Sequence, residues 1–179
     1  ILGLGDIGSQ AGAPVMTGKA ILISGLADLP SIGLILEETN PAKIVRILKQ
    51  ILPQSGGSVN LEDFSSPHSF EVERLLQAET DIPVFDDDQW GTGIVVAAAL
   101  MNGVKLLGMD LGAVKIHFQG AGAGAIGVAL ILAAAGVNSG HIQMADSQGL
   151  IYDGRKFGMN EEKAHLATII NSECRQGSW

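Results

Sequence analysis

The stretch Val114-Lys-Ile-His-Phe-Gln-Gly-Ala-Gly-Ala-Gly-Ala-Ile-Gly127 joins a short apolar segment to a loop in which glycine and alanine alternate. The apolar segment predicts a β-strand, and the alanine-rich sequence after the loop predicts a buried helix. The loop fits the pattern G-x-G-x-x-G/A in two registers, one beginning at Gly120 and one at Gly122. Glycines in such a loop allow the backbone to approach a pyrophosphate, whose charge then lies at the helix N-terminus. The stretch therefore predicts the beginning of a Rossmann-type dinucleotide-binding domain.

The next predicted strand, residues 142–146, supports a dinucleotide site. It ends in Asp146, which follows Gly122 by 24 residues and so lies close to the usual distance of ~20. An acid at this position accepts a hydrogen bond from the ribose 2′-hydroxyl, so Asp146 favours NAD without excluding NADP. The predicted cofactor-binding residues are Gly120, Ala121, Gly122, Ala123, Gly124, Ala125 and Asp146. The alternative is a glycine-rich turn in a packed α/β protein.

Strands and helices alternate along the rest of the chain. Asn40 and Pro41 fit the N-cap and the first position of a helix that Pro53 ends. Further helices are predicted from Ser66-Pro67, over 91–107 and over 160–170. Strands are predicted at 1–8, 31–36, 58–61 and 82–85, whereas the apolar run 19–26 fits either a buried strand or a buried helix. The alternation predicts an α/β fold with a mainly parallel sheet.

The composition excludes several classes of protein. With 46% hydrophobic and 17% charged residues, the chain is able to form a substantial core. A net charge of −8 is unsuited to nucleic acid, and no uncharged apolar run reaches the ~20 residues of a membrane span. The single cysteine, Cys174, excludes an internal disulfide and is typical of a reducing compartment. We therefore expect a cytoplasmic protein without nucleic-acid or membrane partners.

Two groups of carboxylates follow predicted strands. Glu62 and Asp63 follow one strand, and Asp86, Asp87 and Asp88 follow the next. Neighbouring parallel strands would bring both groups to the same edge of the sheet, where α/β proteins bind ligands. Three carboxylates together with substrate oxygens would suit Mg²⁺ or Mn²⁺. The alternative is a solvated loop and a helix N-terminus at which the helix dipole favours acids.

Lys19 follows Gly18 and precedes a wholly apolar run. A lysine in such a position is usually a surface residue whose stem packs on apolar neighbours. At the edge of a core near a metal, it would instead act as a base. The residues alone leave both interpretations open. The four histidines and Cys174 lack the spacing of a metal site or a catalytic triad, so we expect structural roles for them.

A change in composition near Trp90 divides the chain, because the sequence before it is acidic and the sequence after it is rich in alanine and glycine. We therefore expect two domains. Residues 1–90 form the C-terminal part of a parallel-sheet domain that binds substrate and metal, and residues 91–179 form the first half of the Rossmann-type domain. The chain starts in an apolar run without Met and ends without a recognisable element, so it has the character of an internal fragment.

Five motifs resemble those of the malic enzymes, especially the shorter bacterial type. They are ILGLGDIG at 1–8, Gly18-Lys19, GSVNLEDF at 57–64, IPVFDDDQWGT at 82–92 and VKIHFQGAGAGA at 114–125. The motifs occur in the order found in the family and extend over nearly the whole chain. The Leu-Glu-Asp and Asp-Asp-Gln…Gly-Thr motifs are specific to the family.

The resemblance implies metal-dependent oxidative decarboxylation of L-malate to pyruvate and CO₂, with reduction of NAD⁺ or NADP⁺. It implies that Glu62, Asp63 and Asp88 bind Mg²⁺ or Mn²⁺. It also implies that Lys19 takes the proton of the malate hydroxyl, that Asp87 is an acid beside the metal, and that residues 120–125 bind the dinucleotide. A homodimer or homotetramer is expected on the same basis.

Two residues depart from the family's pattern. Asp86 and Trp90 stand where the bacterial motif has histidines, which adds a charge beside the expected site and bulk at its rim. The family's tyrosine acid and substrate-binding asparagines belong to segments outside this sequence, so we expect the isolated chain to be inactive. Two alternatives stay open. One is a malolactic enzyme, which releases lactate without net cofactor turnover, and the other is a non-catalytic module for nucleotide binding or oligomerisation.

Overall fold

A computed structural model describes residues 1, 4–52 and 57–177. The chain divides into two compact units, unit 1 (Ile1–Val84) and unit 2 (Phe85–Trp179). Helices alternate with short strands, which confirms the predicted α/β fold with parallel strands. The expected functional boundary after residue 90 stays a prediction. Within the described ranges, no helix has both the length and the apolar character that a bilayer span requires.

Unit 1 is built around a core to which α2, β1 and α3 contribute. Its helices are α1 (Gly8–Ala27), α2 (Pro41–Ile51) and α3 (His68–Glu79), and β1 (Val59–Leu61) lies between α2 and α3 in the chain. The Val59 N–H donates to the Pro83 carbonyl oxygen at 2.9 Å, just before β2 (Val84–Asp86). The buried core side chains are Ile44, Val45, Leu48, Leu61, Val72 and Leu76. The residues that follow β1 are therefore positioned by a packed aliphatic core.

Helix α2 begins where the sequence predicts. The Asn40 side chain accepts a hydrogen bond from the Lys43 N–H at 3.1 Å, and Pro41 is the first helical residue. This cap satisfies one of the N–H groups that the first turn of a helix leaves without a partner. The buried side chains of α2 recur at helical spacing and face the core. Pro53, the predicted end of the helix, lies outside the described residues.

Three expectations for the first 36 residues are corrected by the structure. The described residues of 1–7 are not in a strand, and α1 begins at Gly8. The run 19–26 is helical, but it is not buried, because Ile21 and Leu26 are 65% and 85% exposed. Residues 31–36 form no strand, and the Ser31 N–H donates to the Ser24 hydroxyl at 3.1 Å rather than to a sheet. An apolar run in a sequence does not by itself show whether it forms a strand or a helix. It also does not show whether another part of the protein covers it.

Unit 2 contains the glycine loop and the strands on either side of it. A π-helical turn (Asp87–Gly91) follows β2 and leads into α4 (Thr92–Leu106). The following elements are β3 (Ile116–Gln119), α5 (Ala123–Ala134), β4 (Ile142–Asp146), β5 (Gly149–Leu150) and α6 (Glu161–Ala167), with short 3₁₀ turns at Leu111–Ala113 and Ser139–His141. Strands β3 and β4 are parallel, with Ile116 opposite Ile142, and β5 is antiparallel to β4. The carboxyl ends of β3 and β4 therefore lie at the same edge of the sheet.

The core of unit 2 is aliphatic and comes from α5, β4 and the end of the chain around α6. Its buried side chains include Ile126, Val128, Ala129, Leu132, Ile142, Met144, Leu166 and Ile170. Burying each of the larger ones contributes about 1.5–3 kcal/mol relative to exposure. The prediction of a buried helix after the glycine loop is confirmed, and this core fixes the position of the loop.

Candidate functional site

The loop between β3 and α5 contains two glycines that differ in backbone conformation. Gly120 has a φ of +114°, which L side chains rarely adopt, and its N–H donates to the Ala145 carbonyl oxygen at 2.9 Å. A Cβ built at Gly122 would meet no atom of the described residues within 4 Å. Helix α5 begins immediately afterwards, and in this part of the structure no side chain caps its first turn. Uncapped N–H groups behind an open approach are what an anion-binding helix N-terminus requires.

Two later glycines of the same sequence allow close packing, a role that the sequence analysis missed. A Cβ at Gly124 would lie 2.9 Å from the Thr92 Cγ2 atom, and one at Gly127 would lie 2.3 Å from the Gln89 carbonyl oxygen. These positions have to be glycine for α5 to approach the π-helical turn and the start of α4. The signal in the sequence was the spacing of three, which places both residues on one face of a helix.

A cavity of about 540 Å³ opens at the carboxyl ends of β3 and β4. It is lined by residues 119–120 and 145–149, so Gly120 and Asp146 both contribute to its wall. Ligands of α/β proteins bind at this edge of a parallel sheet. The volume also lies within the range of about 300–1,000 Å³ that is usual for small-molecule sites. The structure therefore brings the first glycine of the loop and the predicted ribose acceptor to one cavity.

The Asp146 carboxylate lies at the centre of an ion-pair network. Its Oδ1 accepts from Arg155 at 3.0 Å and from the Gln148 N–H at 2.9 Å, and its Oδ2 accepts from Arg155 at 2.5 Å and from Lys163 at 2.7 Å. Burial would raise the pKa of Asp146, but the hydrogen bonds from Arg155 and Lys163 outweigh it and hold that pKa well below its ordinary value. Asp146 is thus ionised, and its single negative charge is paired with two cations.

The sequence analysis missed both cationic partners. Arg155 follows β5 and Lys163 lies in α6, so no local spacing links either of them to Asp146. Arg155 also donates to the carbonyl oxygens of Gly149 and Leu150, at 3.1 and 3.2 Å. The network therefore ties β4, β5 and α6 together. The role of Asp146 as a ribose acceptor stays a prediction.

Three consecutive carboxylates occupy the junction between β2 and α4. Asp86 is fully buried, and its Oδ1 accepts from the Gln89 N–H at 3.3 Å, so it caps the π-helical turn. Asp87 and Asp88 are the first two residues of that turn. The Asp87 carboxylate lies over Gly91, where a Cβ would be 2.3 Å from Oδ1. A side chain at position 91 would therefore make the Asp87 carboxylate move, and π-helical turns of this kind are frequent at functional sites.

Unit 1 brings two predicted site residues into contact. Lys19, in α1, forms an ion pair with Glu62, which follows β1, and the Nζ–Oε2 distance is 2.8 Å. The side chains are 28% and 12% exposed, so the pair is mostly shielded from water. The Asn60 side-chain amide lies 3.4 Å from the same carboxylate oxygen. Asp63 follows with a φ of +57°, a left-handed conformation that is uncommon outside glycine and concentrates at functional sites.

Comparison with known proteins shows which enzymes the chain resembles. The family model for the malic enzyme NAD-binding domain matches residues 90–174. The chain is 43% identical over 178 residues to the bifunctional malic/malolactic enzyme of Bacillus subtilis, a match that covers 99% of this chain and 43% of that enzyme. The crystal structure of the NAD-dependent malic enzyme from Thermotoga maritima matches with a TM-score of 0.90 and 36% identity, over 99% of this chain and 47% of that one. Over almost its whole length the chain is therefore similar to malic enzymes, and its second part matches the NAD-binding domain of that family.

Other malic enzymes match the chain under both cofactor names. The NADP-dependent enzyme of Escherichia coli is 39% identical over 94% of the chain and 22% of its own length. The NAD-dependent enzyme of Rhizobium meliloti is 42% identical over 93% of the chain and 22% of its own length. The chain spans less than half the length of these relatives, and their names do not decide between NAD and NADP for this chain.

The predicted metal ligands belong to different units. Glu62 and Asp63 lie in unit 1, and Asp88 lies in unit 2. Within either unit, no three His, Cys, Asp or Glu side chains of the described residues are grouped as a metal site would be. The metal-binding role of these three residues stays a prediction. The contact that the structure does contain is the ion pair between Glu62 and Lys19.

Proposed function

We propose that the protein catalyses metal-dependent oxidative decarboxylation of L-malate to pyruvate and CO₂, with reduction of NAD⁺ or NADP⁺. The observation that supports this most directly is the 2.8 Å ion pair between Lys19 and Glu62. The two residues are distant in the sequence and meet beyond the end of β1, as a base beside a metal ligand would. The sequence similarity supports the same reaction class, because the relatives are described as malic enzymes.

In this proposal, Glu62, Asp63 and Asp88 bind Mg²⁺ or Mn²⁺. Their oxygens are the donors that hard divalent cations prefer, and the Glu62 carboxylate already lies beside a positive charge, the Lys19 ammonium. The residues therefore fit a cation in charge and in donor type. When bound, the metal supplies Lewis acidity, which withdraws electron density from the oxygen on C2 of malate.

The protein side chains then have distinct tasks. Lys19, once its ammonium has given a proton to water, accepts the proton of the malate hydroxyl as a neutral amine when the hydride leaves C2. Asp87, positioned over Gly91, contributes a further negative charge beside the site. The β-keto acid that is formed loses CO₂ to give pyruvate after proton transfer. The acid that completes this last transfer is not among the residues assigned here.

The dinucleotide is assigned to unit 2. The pyrophosphate of NAD⁺ or NADP⁺ would approach the N-terminus of α5 through the open space at Gly122, along the loop from Gly120 to Ala125. The cavity whose wall includes Asp146 would take the adjoining ribose. Support for this assignment comes from the open helix N-terminus and from the family match to residues 90–174.

The test uses the purified full-length protein with L-malate, Mn²⁺ and either NAD⁺ or NADP⁺. We expect pyruvate together with NADH or NADPH, and we expect Asp88→Ala to abolish both products. Lys19→Ala should lower turnover by about 100-fold or more while changing the KM for malate much less, because a base acts in the transition state. An unchanged turnover number in Lys19→Ala would refute the base role.

A malolactic reaction is the second candidate, because the relative from Bacillus subtilis is described as a bifunctional malic/malolactic enzyme. Lactate formed from malate without net NADH or NADPH would favour this reaction over the first. If neither lactate nor pyruvate is formed, the protein is a non-catalytic module. The same incubation, with both acids quantified, therefore separates all three possibilities.

A further inference from the structure

The Lys19 ammonium occupies the carboxylate that the proposed function assigns to a metal ion. Its Nζ lies 2.8 Å from Glu62 Oε2, and the Asn60 side-chain amide also donates to that oxygen, at 3.4 Å. Glu62 is only 12% exposed on its side chain, and Lys19 is 28% exposed, so water screens the pair incompletely. The Lys19 ammonium and the proposed divalent cation would therefore both bind the carboxylate of Glu62.

We propose that Lys19 and the divalent cation compete for Glu62, so that metal binding releases the Lys19 ammonium from this carboxylate. The inference rests on the metal site of the proposed function. A metal–oxygen bond is about 2.0–2.6 Å long, so a metal on Glu62 would bring a second positive charge within a few ångströms of the ammonium. Like charges at that distance repel, and the shielding of the pair strengthens the repulsion.

The competition couples metal binding to the release of Lys19, the proposed base. While no metal is bound, Glu62 holds Lys19. When the metal takes the carboxylate, the long lysine side chain is able to turn away from Glu62 and to give its ammonium proton to water, and the resulting neutral amine is then able to accept the proton of the malate hydroxyl. Because coupling between two binding events is reciprocal, a side chain that metal binding displaces must itself weaken metal binding. Removing the ammonium should therefore tighten the metal site, although it removes the proposed base.

The experiment compares Mn²⁺ affinity in full-length wild-type protein, Lys19→Met and Lys19→Arg, without malate or nucleotide. Free Mn²⁺ is measured by electron paramagnetic resonance, so turnover does not enter the result. We expect Lys19→Met to bind Mn²⁺ about three- to tenfold more tightly than the wild type, as loss of a partly exposed ion pair predicts. Lys19→Arg keeps the charge beside Glu62 and should show no such gain.

Lys43→Met is the matched control. Lys43 also lies in unit 1 and also forms an ion pair, with Glu38 at 3.4 Å, but its side chain is 60% exposed. The substitution removes the same charge, so an equal gain in Mn²⁺ affinity would show a general charge effect and overturn the proposal. Equal or weaker binding in Lys19→Met than in the wild type would also overturn it.

The outcomes separate this inference from the proposed function. If wild-type protein and Lys19→Met bind Mn²⁺ equally, and Asp88→Ala abolishes binding, the metal site stands and the competition fails. If neither wild type nor Lys19→Met binds Mn²⁺, both the metal site and the competition fail. Thermal unfolding of each variant verifies that it is folded, and Lys19→Gln, which also removes the charge, supplies the comparison if Lys19→Met does not fold.

Discussion

Arg155 has no exposed side-chain surface, and its charge is balanced in the folded protein by Asp146. Asp146→Asn preserves the shape of the side chain but leaves the buried guanidinium without its carboxylate. We expect this change to lower the free energy of unfolding by about 2–4 kcal/mol. Urea unfolding of the full-length protein, followed by circular dichroism, measures the difference.

The control is Glu173→Gln, which removes the same charge from an exposed pair. Glu173 and Arg175 are 61% and 59% exposed, so we expect a change below about 0.5 kcal/mol.

The lowered pKa of Asp146 sets how the stability depends on pH. A carboxylate whose pKa is lowered by folding stabilises the fold above its unfolded pKa, and this contribution is lost as pH falls toward its folded pKa. The effect of Asp146→Asn should be full at about pH 7 and shrink below about pH 4. An effect that is constant over this range would contradict the charge-based explanation.

At the scale of secondary-structure elements, the decisive contact is that of α5 with the π-helical turn. A Cβ at Gly127 would lie 2.3 Å from the Gln89 carbonyl oxygen, which belongs to the backbone and cannot rotate away. We expect Gly127→Ala to force the two elements apart and to lower the free energy of unfolding by about 1–3 kcal/mol, as overpacking does. Urea unfolding again provides the measurement.

Gly103→Ala is the matched control for this prediction. Gly103 lies inside α4, and a Cβ there meets no atom of the described residues within 4 Å. The same substitution should therefore raise stability by about 0.5–1 kcal/mol, because alanine loses less backbone entropy than glycine in a helix. If the two variants shift in the same direction, close packing is not the reason for glycine at position 127.

At the scale of the whole molecule, dinucleotide binding should appear as stabilisation. A ligand at about 100 times its Kd adds about 2.7 kcal/mol to the stability of a folded protein. Gly122 faces open space and has an ordinary φ, so Gly122→Ala should fold as the wild type does. Its methyl group would obstruct the approach of the pyrophosphate, and we expect about tenfold weaker binding of NAD⁺ or NADP⁺. The rise in melting temperature at one fixed dinucleotide concentration measures this loss.

Gly103→Ala is also the control for this prediction, because Gly103 belongs to unit 2 and is in α4, outside the glycine loop. Its melting temperature should rise with the dinucleotide as that of the wild type does. A full rise in Gly122→Ala would place the pyrophosphate elsewhere. No rise in the wild type with either dinucleotide would remove the cofactor assignment altogether.

The sequence by itself determined the features that depend on local patterns. The cap of α2 by Asn40, the strand–loop–helix around Gly120 and the buried character of α5 all follow from propensity, periodicity and backbone freedom within a few residues. The motifs and their order also predicted the similarity to malic enzymes, because neither needs coordinates.

Only the tertiary structure decided which distant side chains meet and which apolar faces are covered. The contacts of Asp146 with Arg155 and Lys163, and of Lys19 with Glu62, join segments that no spacing rule relates. The exposure of the apolar run in α1 could likewise not be predicted from the sequence. Hydrophobic side chains favour burial, but the sequence does not show which surface, if any, covers them. Ion pairs and close contacts depend on positions in space, and packing of the whole chain sets those positions.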